Sequence, residues 1–388
     1  MNSTKSLEPS APATALIGLA ALASAMGIGR FSLTPIFPLM QQDADLSLNV
    51  GGWLATANYL GYLAGALACI ALTPPVAIAI RWGLLSVGLF TLAMGLTDWQ
   101  ASWLALRFLA GVASAMVLVG TSAWAMPILT RQGRESWSGH MFSGVGIGIA
   151  LAGLFGLAAA IDAWGSRGTW IALGLVALLL AAVLWRPLAV PTASGEHAAP
   201  SGRLLPRRAI IAAICYAAFG YGYIIPATFL PALARGYIDS PAMFGLIWPV
   251  FGAAAALSTF VSAWIWRGVA PRQLWMRAKW VLAAGVLAPA LSVNVPTLLI
   301  SAVCVGGTFM IITMAGLKEA LRLGGKPASL AVGVMTAAFG TGQIAGPLTV
   351  SLLGRSDHAF ASASLVAVLG LVASNGVLLF TGPEADNT

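Results

Sequence analysis

Two arginines stand inside long apolar stretches of the sequence, where charged side chains are rare. Arg30 is the only charged residue in 11–40, and Arg107 lies in the apolar run 100–129. An arginine at the centre of a membrane helix costs about 2.5–3.5 kcal/mol even on a lenient scale, so it faces a polar interior and finds partners there. A guanidinium can hold a carboxylate or a phosphate through two parallel hydrogen bonds. Arg30 and Arg107 are therefore candidates for recognising an anion.

Both arginines also have structural interpretations. The backbone around Arg30 is easily broken, and its freed carbonyls could accept the hydrogen bonds of a structural arginine. The residues that loosen it are Gly27, Gly29, Pro35 and Pro38. We favour anion recognition for Arg30, whereas for Arg107 binding and a structural or coupling role stay open. Glycines of the first and fifth apolar runs, namely Gly27, Gly29, Gly146 and Gly148, are expected to serve close helix packing.

Other polar and aromatic side chains at membrane depth could complete such a binding site. Asn58, Tyr59 and Tyr62 share a helix face because they are three and four residues apart. Further candidates lie in the second half of the chain: Tyr221, Tyr223, Trp248 and Gln343. Each of these side chains also has a structural alternative: it could form an interhelical hydrogen bond or pack in the core.

Residues for catalysis or metal binding are not found at membrane depth. The sequence has no H-E-x-x-H motif, no Walker loop and no paired carboxylates or Ser/His/Asp set there. We therefore expect no enzyme activity, no metal and no cofactor. The acidic residues lie in loops, tails or at the edges of the apolar runs. We therefore expect that any proton coupling depends on the substrate's own charge, or that transport is passive, with His140 as the titratable alternative.

The composition indicates the elements that must position these residues. Apolar residues make up 59% of the chain and charged residues only 8%, with a mean hydropathy of +0.88. So few charges cannot cover a water-facing surface, and a soluble chain has about 25% of them. Apolar runs of about twenty residues fit membrane helices rather than the short alternating strands of a barrel. Twelve such runs occur: 12–39, 50–72, 76–97, 100–129, 139–162, 169–185, 209–233, 242–266, 275–293, 296–317, 328–353 and 359–381.

The longest polar segment divides the twelve runs into six and six. Residues 186–208 are rich in Pro, Ala, Gly and Ser and predict a flexible cytoplasmic linker. We thus expect helical bundles at 12–185 and 209–381, with cytoplasmic tails at 1–11 and 382–388. The run at the N-terminus has an alternative as a signal peptide ending at Ala23-Ser24-Ala25, but its apolar character continues to Met40, which favours a membrane helix.

The distribution of Lys and Arg predicts the orientation. With the N-terminus in the cytoplasm, fifteen basic residues, Lys279 among them, fall in cytoplasmic segments, against three in outer segments. The outer three are Arg167, Arg235 and Arg355. This asymmetry places both termini in the cytoplasm, and it accounts for the net charge of +8 without a nucleic-acid partner.

Two pairs of runs match at one offset. Gly27-x-Gly29-Arg30 corresponds to Gly220-x-Gly222-Tyr223, and Gly222 follows Gly29 by 193 residues. The same offset aligns Ala152-Gly153 with Ala345-Gly346. Because six helices separate the copies, the two repeats have the same orientation, and they are parallel.

This architecture resembles that of the major facilitator superfamily, and several motifs carry the resemblance. "RFLAG" (107–111) and the Gly-rich run 144–153 are similar to patterns of its fourth and fifth helices, and "GIGRF" with "WLATANYLGYLAGAL" resembles the bacterial YbfB/YjiJ-like branch. The resemblance implies a monomeric transporter in the bacterial inner membrane, with helices one, four, seven and ten around a cavity. Together with the two arginines it predicts alternating-access transport of a small organic anion. The alternatives are export of neutral sugars or drugs, and a sensor that does not transport.

Overall fold

The regular structure of the described chain is entirely helical. The computed structural model describes residues 9–162, 164–189, 206–235, 241–323, 327–353 and 359–380. Within these ranges, twelve helical segments are long and apolar enough to cross a membrane, and there are no strands. The prediction of an all-helical fold with twelve spans is confirmed. Most of the predicted linker (190–205) and of the two tails (1–8 and 381–388) lies outside the described residues.

The first spanning segment is divided into pieces, whereas the others are continuous. Helix α1 (Ala11–Leu22) is followed by a π-helix (Ala23–Ile28), a short turn and α2 (Leu33–Asp43). The other spanning helices are α3 (Leu48–Leu72), α4 (Val76–Met94), α5 (Gln100–Arg131), α6 (Trp137–Asp162), α7 (Gly165–Trp185), α8 (Arg207–Arg235), α9 (Pro241–Ile265), α10 (Pro271–Leu291), α11 (Val295–Arg322), α12 (Ala328–Leu352) and α13 (Ala359–Phe380). A 3₁₀ turn at Pro187–Ala189 follows α7.

The break in the first segment begins with widened turns of the backbone. The N–H of Gly29 donates to the carbonyl of Ser24 at 2.9 Å, and that of Phe31 to Met26 at 3.2 Å. Each bond spans five residues instead of four, which is the π-helical pattern often found at functional sites. Pro35 then has no N–H to donate back to the turn. The break therefore exposes backbone carbonyls at membrane depth, and these need other donors.

The repeat-equivalent helix α8 stays intact. It runs through Gly220 and Gly222 without interruption, although these residues match Gly27 and Gly29 in the repeat. The glycine pattern therefore does not break a helix by itself. The contacts that the first segment makes with α5, described below, distinguish the two copies.

Glycines bring helices of the two halves of the chain close together. Gly139, Gly146 and Gly153 recur every seven residues along α6 and all face α9. A Cβ added at Gly146 would lie only 2.6 Å from the carbonyl oxygen of Gly252 in α9. Small residues allow this backbone-to-backbone packing between membrane helices. The close-packing role expected for the glycines of this helix agrees with these contacts.

Lys279 is buried inside the helix bundle, although the charge pattern counts it among the cytoplasmic basic residues. It lies in the third turn of α10 and its side chain is fully buried, while its side of the membrane stays a prediction. Its Nζ donates to the hydroxyl of Ser374 in α13 at 2.8 Å and lies 5.2 Å from the centre of the Trp275 ring. Sequence position near the start of a run thus did not reveal that this side chain turns into the helix bundle.

Candidate functional site at the break in the first helix

Arg30 lies in the turn between the π-helix and α2, and it reaches across to the other half of the chain. Its side chain is buried, with only 3% of the residue exposed. One Nη2 hydrogen is donated to the Oε1 of Gln343 in α12. Its Nε and Nη1 are buried without a hydrogen-bond partner among the described residues. Arg30 therefore keeps donors for at least two further hydrogen bonds.

Aromatic rings surround the Arg30 guanidinium. Its central carbon lies 4.0 Å from the centre of the Tyr62 ring, 5.2 Å from Phe31, 5.6 Å from Phe339 and 5.8 Å from Tyr59. The faces of such rings attract a cation, by about 2 kcal/mol when the pair is desolvated. This attraction offsets part of the cost of burying the charge, but it leaves the hydrogen-bonding capacity of the guanidinium free.

No carboxylate from the described part of the chain neutralises Arg30. Its contacts with side chains are the amide of Gln343 and the aromatic rings. A salt bridge does occur between Arg167 and Asp98, at 3.7 Å, but both of these side chains are exposed to solvent. A buried charge without a counter-ion is unfavourable.

Arg107 supports the break instead of facing an open space. Its Nη1 donates to the carbonyl oxygen of Gly29 at 3.0 Å, and its Nη2 donates to that of Arg30 at 2.8 Å. These are carbonyls that the break exposes. The Arg107 carbonyl in turn accepts a hydrogen bond from Asn58 Nδ2 at 2.9 Å. Of the two roles left open for Arg107, this geometry favours the structural one: it holds the turn that carries Arg30.

The three polar residues predicted on one face of α3 have separate surroundings. Tyr62 is fully buried and its ring lies against the Arg30 guanidinium. Asn58 bonds the backbone of α5, so it serves as an interhelical hydrogen bond. The hydroxyl of Tyr59 lies 3.3 Å from that of Thr228 in α8, which joins the two halves of the chain.

The candidates from the second half are brought to the same region to different degrees. Gln343 bonds Arg30 directly. Tyr223 is fully buried and stacks on Phe309 with ring centres 5.0 Å apart. Trp248 stacks on a neighbouring phenylalanine of α9 and lies 6.4 Å from Phe31.

Tyr221 is the candidate least connected to Arg30. Its backbone packs against Gly342 and Gly346 of α12. The hydroxyls of Tyr221 and Tyr223, like the indole N–H of Trp248, are buried without a hydrogen-bond partner among the described residues. Polar groups in this state are candidates for binding a polar ligand.

Three phenylalanines at the site were missed by the sequence analysis. Phe31, Phe309 and Phe339 line a small cavity beside Arg30, together with Tyr62 and Tyr216. Its volume is about 10 Å³, close to the minimum that holds one water molecule. The presence of an aromatic residue in a membrane helix does not by itself mark a binding site. Phe339 could have been found from its spacing, because it precedes Gln343 by four residues and therefore shares its helix face.

The described residues offer no cluster that could hold a metal ion. No group of three His, Cys, Asp or Glu side chains comes together in the ranges that the structure covers. Around Arg30 the site consists of neutral polar groups and aromatic rings.

Comparison with known proteins agrees with this architecture. A family model described as "Uncharacterised MFS-type transporter YbfB" matches residues 22–379. The uncharacterized MFS-type transporter YceJ of Bacillus subtilis (strain 168) is 29% identical over 136 residues, or 33% of this chain, and the match spans 31% of YceJ. The crystal structure of the human organic anion transporter MFSD10 (TETRAN) matches with a TM-score of 0.70, covering 96% of this chain and 100% of MFSD10. At 12% identity this likeness shows the fold alone.

Proposed function

The chain belongs to the family of MFS-type transporters described as YbfB, and on this premise we propose that it carries a small organic anion across the inner membrane of a bacterium. The family and the twelve spans are those of multi-pass membrane transporters, which act on small molecules within a lipid bilayer. The anion is the part of the proposal that rests on the site. The proposal takes a monomer as the working unit.

Arg30 carries the proposal. It is a buried guanidinium with no carboxylate partner in the described structure, and its Nε and Nη1 are without hydrogen-bond partners. A carboxylate or a phosphate would supply the missing charge, and it would accept two parallel hydrogen bonds from Nη2 together with either Nε or Nη1. A neutral sugar would supply acceptors without charge, and a cationic drug would add to the uncompensated positive charge.

Contacts between the halves of the chain support alternating access. Arg30 of the first segment bonds Gln343 of α12, and Tyr59 of α3 contacts Thr228 of α8. An anion at Arg30 would compete with the Gln343 oxygen for the guanidinium. Binding would therefore change a contact between the halves, which is what a transporter needs if its two bundles rock around a central site.

The likeness to human MFSD10 is consistent with this substrate class. That protein is called an organic anion transporter, and it shares the fold over nearly the whole chain. The likeness adds a precedent for the fold with such a substrate, while the argument for an anion here depends on Arg30.

The proposal includes the arrangement of the chain in the membrane. Bundles at 12–185 and 209–381 are joined by a cytoplasmic linker, 186–208, and both tails are cytoplasmic. Reporter fusions within the linker and after residue 381 should both give the cytoplasmic signal. A periplasmic signal from the linker would contradict the six-plus-six arrangement.

The substrate class is tested with purified full-length protein and a panel of organic anions, neutral sugars and cationic drugs. A bound ligand raises the melting temperature by linkage. We expect stabilisation by anions, and uptake of the same anions into proteoliposomes. Binding without uptake would instead indicate a sensor.

Arg30→Lys tests the role of the guanidinium. It keeps the charge but loses the fork of donors, so anion binding should weaken about tenfold or more. The matched control is Arg81→Lys. Arg81 likewise lies over an aromatic ring, with its guanidinium 5.3 Å from the centre of the Trp185 ring, and it donates to the backbone carbonyl of Trp185 at 2.8 Å. Equal anion binding by Arg30→Lys and the parent, or a neutral or cationic substrate, would refute the proposal.

A further inference from the structure

We infer that the anion is an aromatic monocarboxylate, with a single carboxylate for Arg30 and a flat ring for the aromatic side chains around it. The inference rests on the proposed function of Arg30 and narrows it to one class of substrate. It follows from the number of available cations, from the aromatic wall of the cavity and from two unpartnered polar groups near Phe31.

The count of available cations sets the charge of the ligand. Arg30 is the one cation that lines the cavity among the described residues. Arg107 does not line the cavity, and its terminal nitrogens donate to backbone carbonyls. Lys279 does not line it either: Lys279 contacts the ring of Trp275, and that ring packs edge-on against Tyr216 of the cavity wall at 5.8 Å. A second negative charge on the ligand would find no second cation in the cavity wall, and burying an unpaired charge is costly.

The wall of the cavity sets the shape of the ligand. Five aromatic residues line it: Phe31, Tyr62, Tyr216, Phe309 and Phe339. Their rings meet both edge to face and at a tilt; Phe31 and Phe309, for example, are 6.1 Å apart at 80°. Aromatic rings prefer offset-stacked and edge-to-face partners, so an aromatic ligand gains more here than a saturated ligand of the same size.

Two polar groups near Phe31 suit a substituent on the ring. The Tyr223 ring lies 6.5 Å from Phe31, and the Trp248 ring lies 6.4 Å from it. The Tyr223 hydroxyl and the Trp248 indole N–H are both buried without a hydrogen-bond partner in the described structure. The guanidinium carbon of Arg30 lies 5.2 Å from the same Phe31 ring. A hydroxyl on the ring of the ligand could therefore bond one of these groups while the carboxylate meets Arg30.

The conformation described here is closed around Arg30. A cavity of about 10 Å³ does not admit a benzene ring, so binding requires the rings to separate. The contacts that must open are those between Arg30 and two α12 residues, Phe339 and Gln343. Entry of the ligand is thus tied to movement of α12 relative to the first segment.

The test measures dissociation constants by calorimetry for full-length protein in nanodiscs. The probes are benzoate, 4-hydroxybenzoate, cyclohexanecarboxylate, terephthalate and benzamide. We expect benzoate to bind about tenfold more tightly than cyclohexanecarboxylate, because the saturated ring loses the aromatic contacts. Terephthalate, with a second charge, and benzamide, with none, should each bind at least about tenfold more weakly than benzoate.

Two variants separate the ring contact from the polar contact. Phe339→Leu should shrink the preference for benzoate over cyclohexanecarboxylate to about twofold, since one ring of the wall is lost. Tyr223→Phe should weaken the binding of 4-hydroxybenzoate more than that of benzoate. The control is Phe229→Leu, which removes a ring that packs edge-on against Phe360, outside the cavity wall; both preferences should persist there.

The outcomes distinguish this inference from the proposed function. If terephthalate or cyclohexanecarboxylate binds as tightly as benzoate, and Arg30→Lys abolishes that binding, the aromatic monocarboxylate is wrong but anion recognition by Arg30 stands. If the probes bind equally well to Arg30→Lys, both are wrong. If none of the five probes binds at millimolar concentration, the inference is overturned, and the wider panel of organic anions decides the proposed function.

Discussion

Arg107→Lys should destabilise the protein and weaken anion binding only through the position of Arg30. In the parent, the Arg107 guanidinium donates to the carbonyls of Gly29 and Arg30, at 3.0 and 2.8 Å. A hydrogen bond to a charged group contributes about 1.5–3 kcal/mol. A lysine ammonium lacks the planar fork and can keep one of the two bonds, so we expect a loss of about 1.5–3 kcal/mol in the free energy of unfolding.

The assay for Arg107 compares stability and ligand selectivity. Thermal or denaturant unfolding of purified protein gives the loss of stability, and calorimetry gives the affinities of benzoate, terephthalate and benzamide. A positioning role predicts lower stability and a uniform loss of affinity, with the preference for the singly charged probe unchanged. A variant as stable as the parent whose preference between benzoate and terephthalate had changed would refute the reasoning, because Arg107 would then contact the anion itself. Arg81→Lys, which alters a single backbone bond at Trp185, should cost less than about 1 kcal/mol.

Three further predictions follow from the packing and from the buried cations. Gly27→Ala should destabilise the protein by about 1–3 kcal/mol, because the added Cβ would lie 2.9 Å from a backbone nitrogen of α6. Gly370→Ala in α13 should stabilise it by about 0.5–1 kcal/mol, because there the added Cβ meets nothing within 4 Å; equal effects in unfolding assays would contradict this account. Ser374→Ala should lower the free energy of unfolding by about 1–3 kcal/mol, because it removes the acceptor of Lys279. Lys279→Met should lower it less, since it removes the buried charge as well. A larger loss for Lys279→Met than for Ser374→Ala would show that the lysine has another partner. Gln343→Glu should raise the melting temperature and weaken benzoate binding at least about tenfold, because an internal carboxylate would occupy the buried arginine; unchanged benzoate binding by calorimetry would disprove this competition.

Much of the fold followed from the sequence because bilayer physics leaves few choices. Apolar runs of about twenty residues can only be helices in lipid, and their number was confirmed at twelve. The position of Arg30 inside a membrane span could also be inferred from the sequence, since its apolar run contains no other charge. The arrangement of the bundles, the sidedness of the linker and the substrate site stay predictions that the experiments above test.

The sequence was less informative about the direction in which side chains point. Lys279 is counted among the basic residues predicted to be cytoplasmic, and the structure shows that its side chain, in the third turn of α10, bonds Ser374. Asn58 and Tyr62 share a face of α3, yet one bonds the backbone of α5 and the other lies against Arg30. Helical spacing identifies residues on one side of a helix, but it does not say which neighbouring helix meets each of them.

By itself, then, the sequence determined that the chain lies in a lipid bilayer, that its spans are helices and that they repeat. It also showed an arginine with no acidic residue in its run. Each of these depends on composition or on patterns along the chain. Only the tertiary structure decided what that arginine can do. The first segment breaks where the matching α8 does not, and the guanidinium of Arg107 from α5 satisfies the carbonyls that the break exposes. The donors of Arg30 are left free because Arg107, 77 residues away, takes the backbone contacts that a structural arginine would otherwise make. Contacts over such separations depend on how helices pack, which no local pattern in the chain encodes.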